Sequence, residues 1–231
     1  MATGQHRAAR PEPGLLASEA VEDYAKAIYA LERRETGPVG TSALAARLGV
    51  SPASVTAMLK RMQEMKLVSY EPYRGVTLSP AGEKVALEVI RHHRLLEAYL
   101  SEALGMPWDR VHDEAEVLEH YISEELEERI ATALGNPPRD PHGDPIPDRE
   151  LLVGTEKGVA LVDLDPGEHG TFSRVSDADP AMLRYLAEQG IRPGAILRVT
   201  QRQPFGGPLF VEVDGASHAI GGDLAQRMLI T

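Results

Sequence analysis

Not one of the 231 residues is cysteine. Disulfides, zinc-thiolate sites and iron-sulfur clusters are thereby excluded, and any metal must be held by nitrogen and oxygen. Long apolar runs are lacking too: none approaches the ~20 residues needed to cross a bilayer, and the start MATGQHRAARPEPGLL has no long apolar h-region. The chain is expected to be soluble and cytoplasmic, with no membrane partner. No internal repeat, low-complexity tract, HExxH or other catalytic motif occurs, which argues against an enzyme with a small-molecule substrate. Positive charge is scarce overall, at net -11, and at first sight that disfavours a polyanionic partner. The scarcity is regional: residues 1 to 80 carry ten Lys+Arg against eight Asp+Glu, and residues 81 to 231 fourteen against twenty-seven. Within residues 47 to 74 the bases Arg47, Lys60, Arg61, Lys66 and Arg74 face only Glu64 and Glu71 as acids, so that segment can face a polyanion.

What is present begins with helical periodicity from Ser18 to about Arg34, where Val21, Ala25, Ile28, Tyr29 and Leu31 recur on one face. After TGPVG, the stretch TSALAARLGV predicts a short helix closed by Gly49. SPASVTAMLKRMQEMKLV predicts another, with Ser51 as N-cap, Pro52 in the first turn and Val55, Leu59, Met62 and Leu67 inward. This pair is a helix-turn-helix pattern, and LVSYEPYRGVTLS reads as two short strands around an Arg-Gly turn. A helix-turn-helix followed by a hairpin is a winged helix. A long helix is expected from Pro80 to Leu104, then a second over residues 107–134 with the stripe Val111, Ala115, Leu118, Ile122, Leu126 and Ile130. Two such stripes can bury each other and a second copy of themselves. NPPRDPHGDPIPDRE, with five prolines and no apolar period, reads as an extended, stiff linker. Beyond it, GVALVDL, GTFSRV, AILRVTQ and PLFVEV alternate with turns and one helix at PAMLRYLAEQG, the pattern of a small β-barrel of SH3 size.

Within VHDEAEVLEH, residues three and four apart share a helix face, so His112, Glu116, Glu119 and His120 form one stripe beside the apolar seam. The preceding helix offers His93 and Glu97, also i, i+4, in RHHRLLE. An acidic solvated surface produces such spacings by chance. Two ligand pairs on adjacent helices favour a metal site, because buried carboxylates without a cation push one another's pKa up and oppose folding. His92 is expected in solvent, and His6, His142, His169 and His218 are expected as surface residues without partners. A two-metal hydrolase and a metal-independent winged-helix regulator remain as alternatives at this point.

The order of these parts resembles the diphtheria-toxin-repressor (DtxR) family of metal-dependent transcriptional regulators. The resemblance spans nearly the whole chain and is carried by EDYAKAIYAL, SVTAMLKRM, YRGVTLSPAGEKVA, HHRLLEAYL, VHDEAEVLEH and DPHGDPIP. It is nearest to the manganese-responsive branch that retains the C-terminal domain. It implies a mainly α fold with a small β domain: a winged helix-turn-helix over 1–79, a helical metal-binding and dimerisation domain with its linker over 80–150, and an SH3-like, FeoA-like β-barrel over 151–231. It also implies a homodimeric repressor of metal homeostasis, activated by Mn²⁺ or alternatively Fe²⁺ at two ions per subunit, that binds a palindromic double-stranded operator.

The residues carried over are Asp23, Glu116, Glu119 and His120 for the primary ion, and His93, Glu97 and His112 for the second. Asp177 or Asp179 is the candidate arm from the C-terminal domain. Iron-responsive members place sulfur where this chain has Asp23 and Glu116; hard oxygen favours Mn²⁺ relative to thiophilic ions. Where Lys26 stands, one short manganese-type member carries a Glu, so the chain departs from that pattern. For DNA, Ser51, Ala53, Ser54, Thr56 and Ala57 are expected nearest the bases, and Lys60, Arg61 and Arg74 nearer phosphate.

Overall fold

In the computed structural model, residues 18–33, 37–154 and 157–231 are described, and the chain divides into two compact units, Met1–Ala86 and Leu87–Thr231. Among the described residues no helix is long and apolar enough to cross a membrane. His6 lies outside the described residues.

The first unit contains α1 (Glu19–Glu32), α2 (Thr41–Leu48), α3 (Pro52–Glu64), β1 (Val68–Glu71) and β2 (Gly75–Leu78). Gly49 closes α2 in the left-handed conformation, at φ 65°. Two residues later Ser51 opens α3, its hydroxyl accepting the Ser54 amide at 3.1 Å, with Pro52 in the first turn. This stop-and-start fixes the tight turn between the helices. Val21, Ile28, Leu44, Val55, Leu59, Met62 and Val76 are fully buried and form the core, so the periodicities converge on one centre. The wing pairs antiparallel from Val68↔Leu78 to Glu71↔Gly75, and Val39 bridges to Val76 as a short third edge. A side chain at Gly75, the first residue after the wing's turn, would strike the Val39 carbonyl, so glycine there lets the Val39 segment close onto β2.

The helix α4 (Pro80–Glu102) runs 23 residues, about 34 Å at 1.5 Å per residue. The long helix expected over 107–134 is two: α5 (Val111–Leu118) and α6 (Glu124–Ala133). Ser123 interrupts it because its hydroxyl accepts the Leu126 amide at 3.3 Å, starting a new helix whose first turn carries Glu124, Glu125 and Glu127. Carboxylates are favourable at that positive end. The break leaves Leu118 and Leu126 exposed, whereas Val111, Ala115 and Ile130 are buried as expected. Leu95, Leu96, Ala115, Ile130, Ala131 and Ile146 make the helical core.

Ile146 belongs to the proline-rich segment, which is therefore not an extended spacer. Asp140, His142 and Ile146 are buried in it. Arg91 and Arg94 on α4 each donate a 2.5 Å hydrogen bond to it, at the carbonyls of Pro147 and Pro145. Proline removes donors but keeps acceptors, and two arginines of the helix use them.

The C-terminal domain is a six-stranded antiparallel sheet. Its strands are β3 (Val159–Ala160), β4 (His169–Val175), β5 (Ile196–Arg202), β6 (Leu209–Val213), β7 (Ala216–Ile220) and β8 (Met228–Ile230), in the order β3-β8-β4-β5-β6-β7. The helix expected at PAMLRYLAEQG is α7 (Pro180–Glu188), and a further short helix, α8 (Gly222–Arg227), precedes the last strand. Phe172, Leu183, Leu186, Val199, Val211, Ile220 and Met228 form its core, and one residue from the α4–α5 connection, Trp108, joins them.

Candidate metal centre and DNA-facing surface

On α3, Ser51, Ala53, Ser54, Ala57, Lys60 and Arg61 are exposed, while Thr56 is half-buried and its hydroxyl donates to the Pro52 carbonyl at 3.0 Å. The outward face thus carries small side chains at its N-terminal end and two cations further on. On the wing, Arg74 donates to Glu71 at 3.2 Å, with both side chains in solvent. Tyr73 beside it was not singled out by the sequence. It is fully exposed at φ 66°, an unusual conformation for a bulky residue.

In the second unit the charged groups converge. Glu97 is 1% exposed and stands among three imidazoles. Its Oε1 lies 3.0 Å from His93 Nε2 and 3.3 Å from His112 Nδ1, and its Oε2 lies 3.7 Å from His142 Nδ1. The same His112 nitrogen is 3.1 Å from Asp177 Oδ2. His93, Glu97, His112 and Asp177 each offer one atom within 4.8 Å of the others, and so do Glu97, Asp140 and His142. The spacing of His93 and Glu97 at i, i+4 on α4 accounts for two of these groups. The others arrive from α5, from the proline-rich segment and from the loop after β4.

The opposite edge of His93 faces the last residues of the α5 stretch: its Nδ1 donates to Glu119 Oε2 at 2.5 Å and lies 3.5 Å from Glu116 Oε2. His120 Nε2 is 3.6 Å from Glu119 Oε1. His93, Glu116 and Glu119 make a further group of ligand atoms within 4.8 Å. Asp23 sits half-buried on α1, in the first unit. Of the two C-terminal candidates, Asp177 faces His112; Asp179 instead caps α7, its Oδ1 accepting the Ala181 amide at 2.9 Å.

Two histidine expectations are overturned. His142 is not a surface residue but 1% exposed, because the proline-rich segment that carries it packs inward. His92 is not in solvent: its Nε2 lies 2.9 Å from Glu127 Oε2, and Glu127 is itself held by Arg91 at 2.5 Å. The sequence did not show that α6 covers that side of α4. His169 is exposed, and His218 lies 3.0 Å from the Gln189 side chain. The ligand-type residues that the sequence reading missed are thus Asp140 and His142. Their one signal was the Asp-Pro-His-Gly-Asp run inside a stretch that its prolines marked as linker.

The electrostatics follow from this crowding. Contact with Asp177 first, and with Glu97 next, pushes His112 up to about 10. Burial pulls His142 down, but Glu97, Asp140 and the Trp108 carbonyl outweigh it and carry it to about 9. Burial also pushes Glu97 up, yet His93, His112 and His142 hold it well below the usual carboxylate range. Asp177 is likewise raised by burial and brought down to about 2 by His112. Asp140 goes the other way: burial, then Glu97 and Asp144, raise it well above a normal carboxyl, against His142 and Arg94. Protonated imidazoles thus supply the charge that a cation would supply. The donors are imidazole nitrogen and carboxylate oxygen with no sulfur, a set that fits a divalent ion of the Mn²⁺, Fe²⁺ or Zn²⁺ kind.

Comparison with known proteins agrees along the chain. The family model described as "Iron dependent repressor, N-terminal DNA binding domain" matches residues 17–76. That described as "Iron dependent repressor, metal binding and dimerisation domain" matches 79–148, and the FeoA domain matches 159–231. The iron-dependent repressor IdeR of Mycobacterium tuberculosis is 32% identical over 209 residues, which is 85% of this chain and 90% of the relative. The diphtheria toxin repressor of Corynebacterium efficiens is 30% identical over 226 residues, 92% and 95% of the two chains. Among solved structures, a manganese-dependent transcriptional repressor in complex with manganese is 42% identical, with a TM-score of 0.83 over 91% of this chain and 99% of that one. ScaR with bound Zn²⁺ is 30% identical, with a TM-score of 0.74 over 91% and 98%. With a winged helix, a dimerisation domain and a buried cluster of nitrogen and oxygen ligands, the chain belongs to the DtxR family of iron-dependent repressors and is a metal-dependent DNA-binding transcriptional repressor, not an enzyme.

Proposed function

We propose that this repressor is activated by Mn²⁺ at two ions per subunit and controls metal-ion homeostasis from the cytoplasm. The observation that carries the reading is Glu97, a buried carboxylate with His93, His112 and His142 around it and Asp140 and Asp177 beside them. One ion would be held by Glu97, His112, Asp140, His142 and Asp177, and the other by Glu116, Glu119 and His120, with Asp23 as the further ligand that the family resemblance assigns. His93 would join the first group through Nε2, which lies 3.0 Å from Glu97, while its Nδ1–H is held by Glu119 at 2.5 Å. When bound, the ion supplies positive charge that lets the carboxylates stay ionised and the imidazoles neutral in a buried place. Hard carboxylate oxygen at Asp23 and Glu116, where iron-responsive relatives place sulfur, supports Mn²⁺ over Fe²⁺, the alternative metal.

The chain's own residues do the rest. Asp177 ties the C-terminal domain to His112 of α5, and Glu119 meets His93 of α4, so each ion joins segments far apart in sequence. In the dimer, two α3 helices enter successive major grooves of a palindrome, about 34 Å apart. Moving such an equilibrium from 1:99 to 99:1 takes about 5.5 kcal/mol of differential binding, within reach of two ions per subunit. Ser51, Ala53, Ser54, Thr56 and Ala57 approach base edges, while Lys60, Arg61 and Arg74 meet phosphate. The exposed apolar Val117 and Leu118 on α5, Tyr121 in the turn after it and Leu126 on α6 provide a face for the second copy. The working division remains 1–79, 80–150 and 151–231.

A mobility-shift assay with a promoter fragment from a metal-transport operon, run with Mn²⁺, Fe²⁺, Zn²⁺ or EDTA, tests this. Binding is expected with Mn²⁺ at the lowest concentration and none with EDTA; Fe²⁺ acting at lower concentration than Mn²⁺ under anaerobic conditions overturns the manganese assignment.

A further inference from the structure

Trp108 is the chain's only tryptophan, and it is joined to both the ligand cluster and the C-terminal core. Its side chain is 1% exposed and packs with Leu161, Phe172, Leu183 and Leu186 of the β domain, although the residue itself lies between α4 and α5. The indole Nε1–H donates to the Leu183 carbonyl on α7 at 3.1 Å, and the Arg192 guanidinium lies 4.6 Å over the ring. On its other side the ring stacks on His142, with centroids 5.7 Å apart and planes inclined by 23°.

The main chain of the same residue takes the next step. The Trp108 carbonyl accepts from His142 Nε2 at 2.7 Å. A carbonyl can only accept, so Nε2 must carry hydrogen and the lone pair of a neutral imidazole is left on Nδ1. Nδ1 is buried, makes no hydrogen bond, and has Glu97 Oε2 at 3.7 Å. The His142 backbone is pinned as well: its amide donates to Asp140 Oδ1 at 2.8 Å, and its carbonyl accepts the Val175 amide at 2.9 Å. At the next residue, Gly143 has φ +92° with its α-carbon against the Ser173 carbonyl, leaving no room for a side chain. Ring and backbone are therefore both fixed.

We infer that Trp108 is the positioning residue of this ion site: its carbonyl leaves His142 only Nδ1 with which to ligate, and its indole ties that carbonyl to the core of the C-terminal domain. The inference rests on the reading that Glu97, Asp140 and His142 hold an ion. Partners that orient a ligating histidine typically contribute 10–100-fold in metal affinity. The β domain then does more than lend Asp177: its packing sets the affinity of the site, and the lone tryptophan reports occupancy.

The test uses the full-length protein with ¹⁵N-labelled histidine and ¹¹³Cd²⁺ as a diamagnetic probe. The expected result is ¹¹³Cd coupling to His142 Nδ1 with the Nε2–H retained, and a change in Trp108 emission on Cd²⁺ titration that survives Glu116→Ala but is lost in His142→Gln. Trp108→Phe keeps the carbonyl and the stacking, so Cd²⁺ affinity at this site is expected within about threefold of wild type; Trp108→Ala is expected to lower it about tenfold or more. Coupling at Nε2, emission indifferent to an ion that does bind, or wild-type affinity in Trp108→Ala overturns the role of Trp108. If Trp108→Ala does not fold, the wild-type coupling and emission still decide. His142→Gln retaining both ions at wild-type affinity contradicts the site itself, a different failure from the others.

Discussion

The two compact units are built on opposite principles. In the first, the buried side chains among the described residues are apolar, from Val21 on α1 to Val76 on the wing. In the second, Arg91, His93, Glu97, Glu119, Glu127, Asp140 and His142 are all buried beside the apolar clusters. An apolar core of this kind needs no particular cation or proton to balance it, because its driving force is area removed from water. A core holding carboxylates and imidazoles is stable only when its charges are balanced, so its structure depends on what cation or proton is present. The core of the reading head thus holds no buried charge that a cation must balance, and the buried charged groups among the described residues lie in the second unit.

The comparison breaks most visibly under substitution of single ligands. Glu97→Ala, Glu119→Ala and His120→Ala are each expected to lower metal-dependent operator affinity about 100-fold or more with a folded dimer retained, measured by anisotropy on a labelled operator. Wild-type affinity in any of them removes that residue from the switch. Leu59→Ala in the first unit is expected to behave oppositely, costing about 2–5 kcal/mol of stability whether metal is present or not, as read by thermal melts with Mn²⁺ and with EDTA. A melt that Mn²⁺ restores to wild type would mean the units are not separable in this sense.

Removal of residues 151–231 sharpens the same contrast. The deletion takes away Asp177 and uncovers Trp108, so it is expected to abolish one ion per subunit in calorimetry and to lower the melting temperature, while leaving the α3 sequence preference unchanged. An unchanged ion count would show that the C-terminal domain is not part of the cluster. Proton linkage gives a smaller effect. His112 is pushed up to about 10 in the absence of an ion, so it is protonated at neutral pH and an incoming ion must displace that proton. His142, at about 9, must give up a proton likewise, so metal affinity is expected to rise with pH through neutrality with about two protons released, one from each histidine, measurable by calorimetry in buffers of different ionisation enthalpy. The smallest effect is expected at the wing. Tyr73→Ala should weaken operator binding only a few-fold, since one exposed aromatic contact is worth about 1 kcal/mol or less.

How much of this was legible in the sequence also divides between the units. The helix-turn-helix was readable because its punctuation is local: Gly49 stops one helix and Ser51-Pro52 starts the next. His93, Glu97 and His112 were readable because i, i+4 spacing on a helix is itself a geometric statement. Asp140 and His142 were not, since five prolines removed the periodicity that marks a buried element, and only Arg91 and Arg94 reaching across from α4 reveal why the segment folds inward. The break after Leu118 was hidden by an apolar stripe that continues in register through it; Ser123 followed by three glutamates in the next turn was the start signal that the stripe masked. Long-range burial, as of His92 under α6, has no local signature.

The central claim is that an ion in the second unit licenses DNA binding by the first. It is tested most directly by titrating metal-free dimer, mixed with a fluorescent palindromic operator, with Mn²⁺ and following anisotropy. The account requires no specific binding in EDTA and saturable binding that reaches its plateau at two Mn²⁺ per subunit; operator affinity that is the same in EDTA as in saturating Mn²⁺ would contradict it.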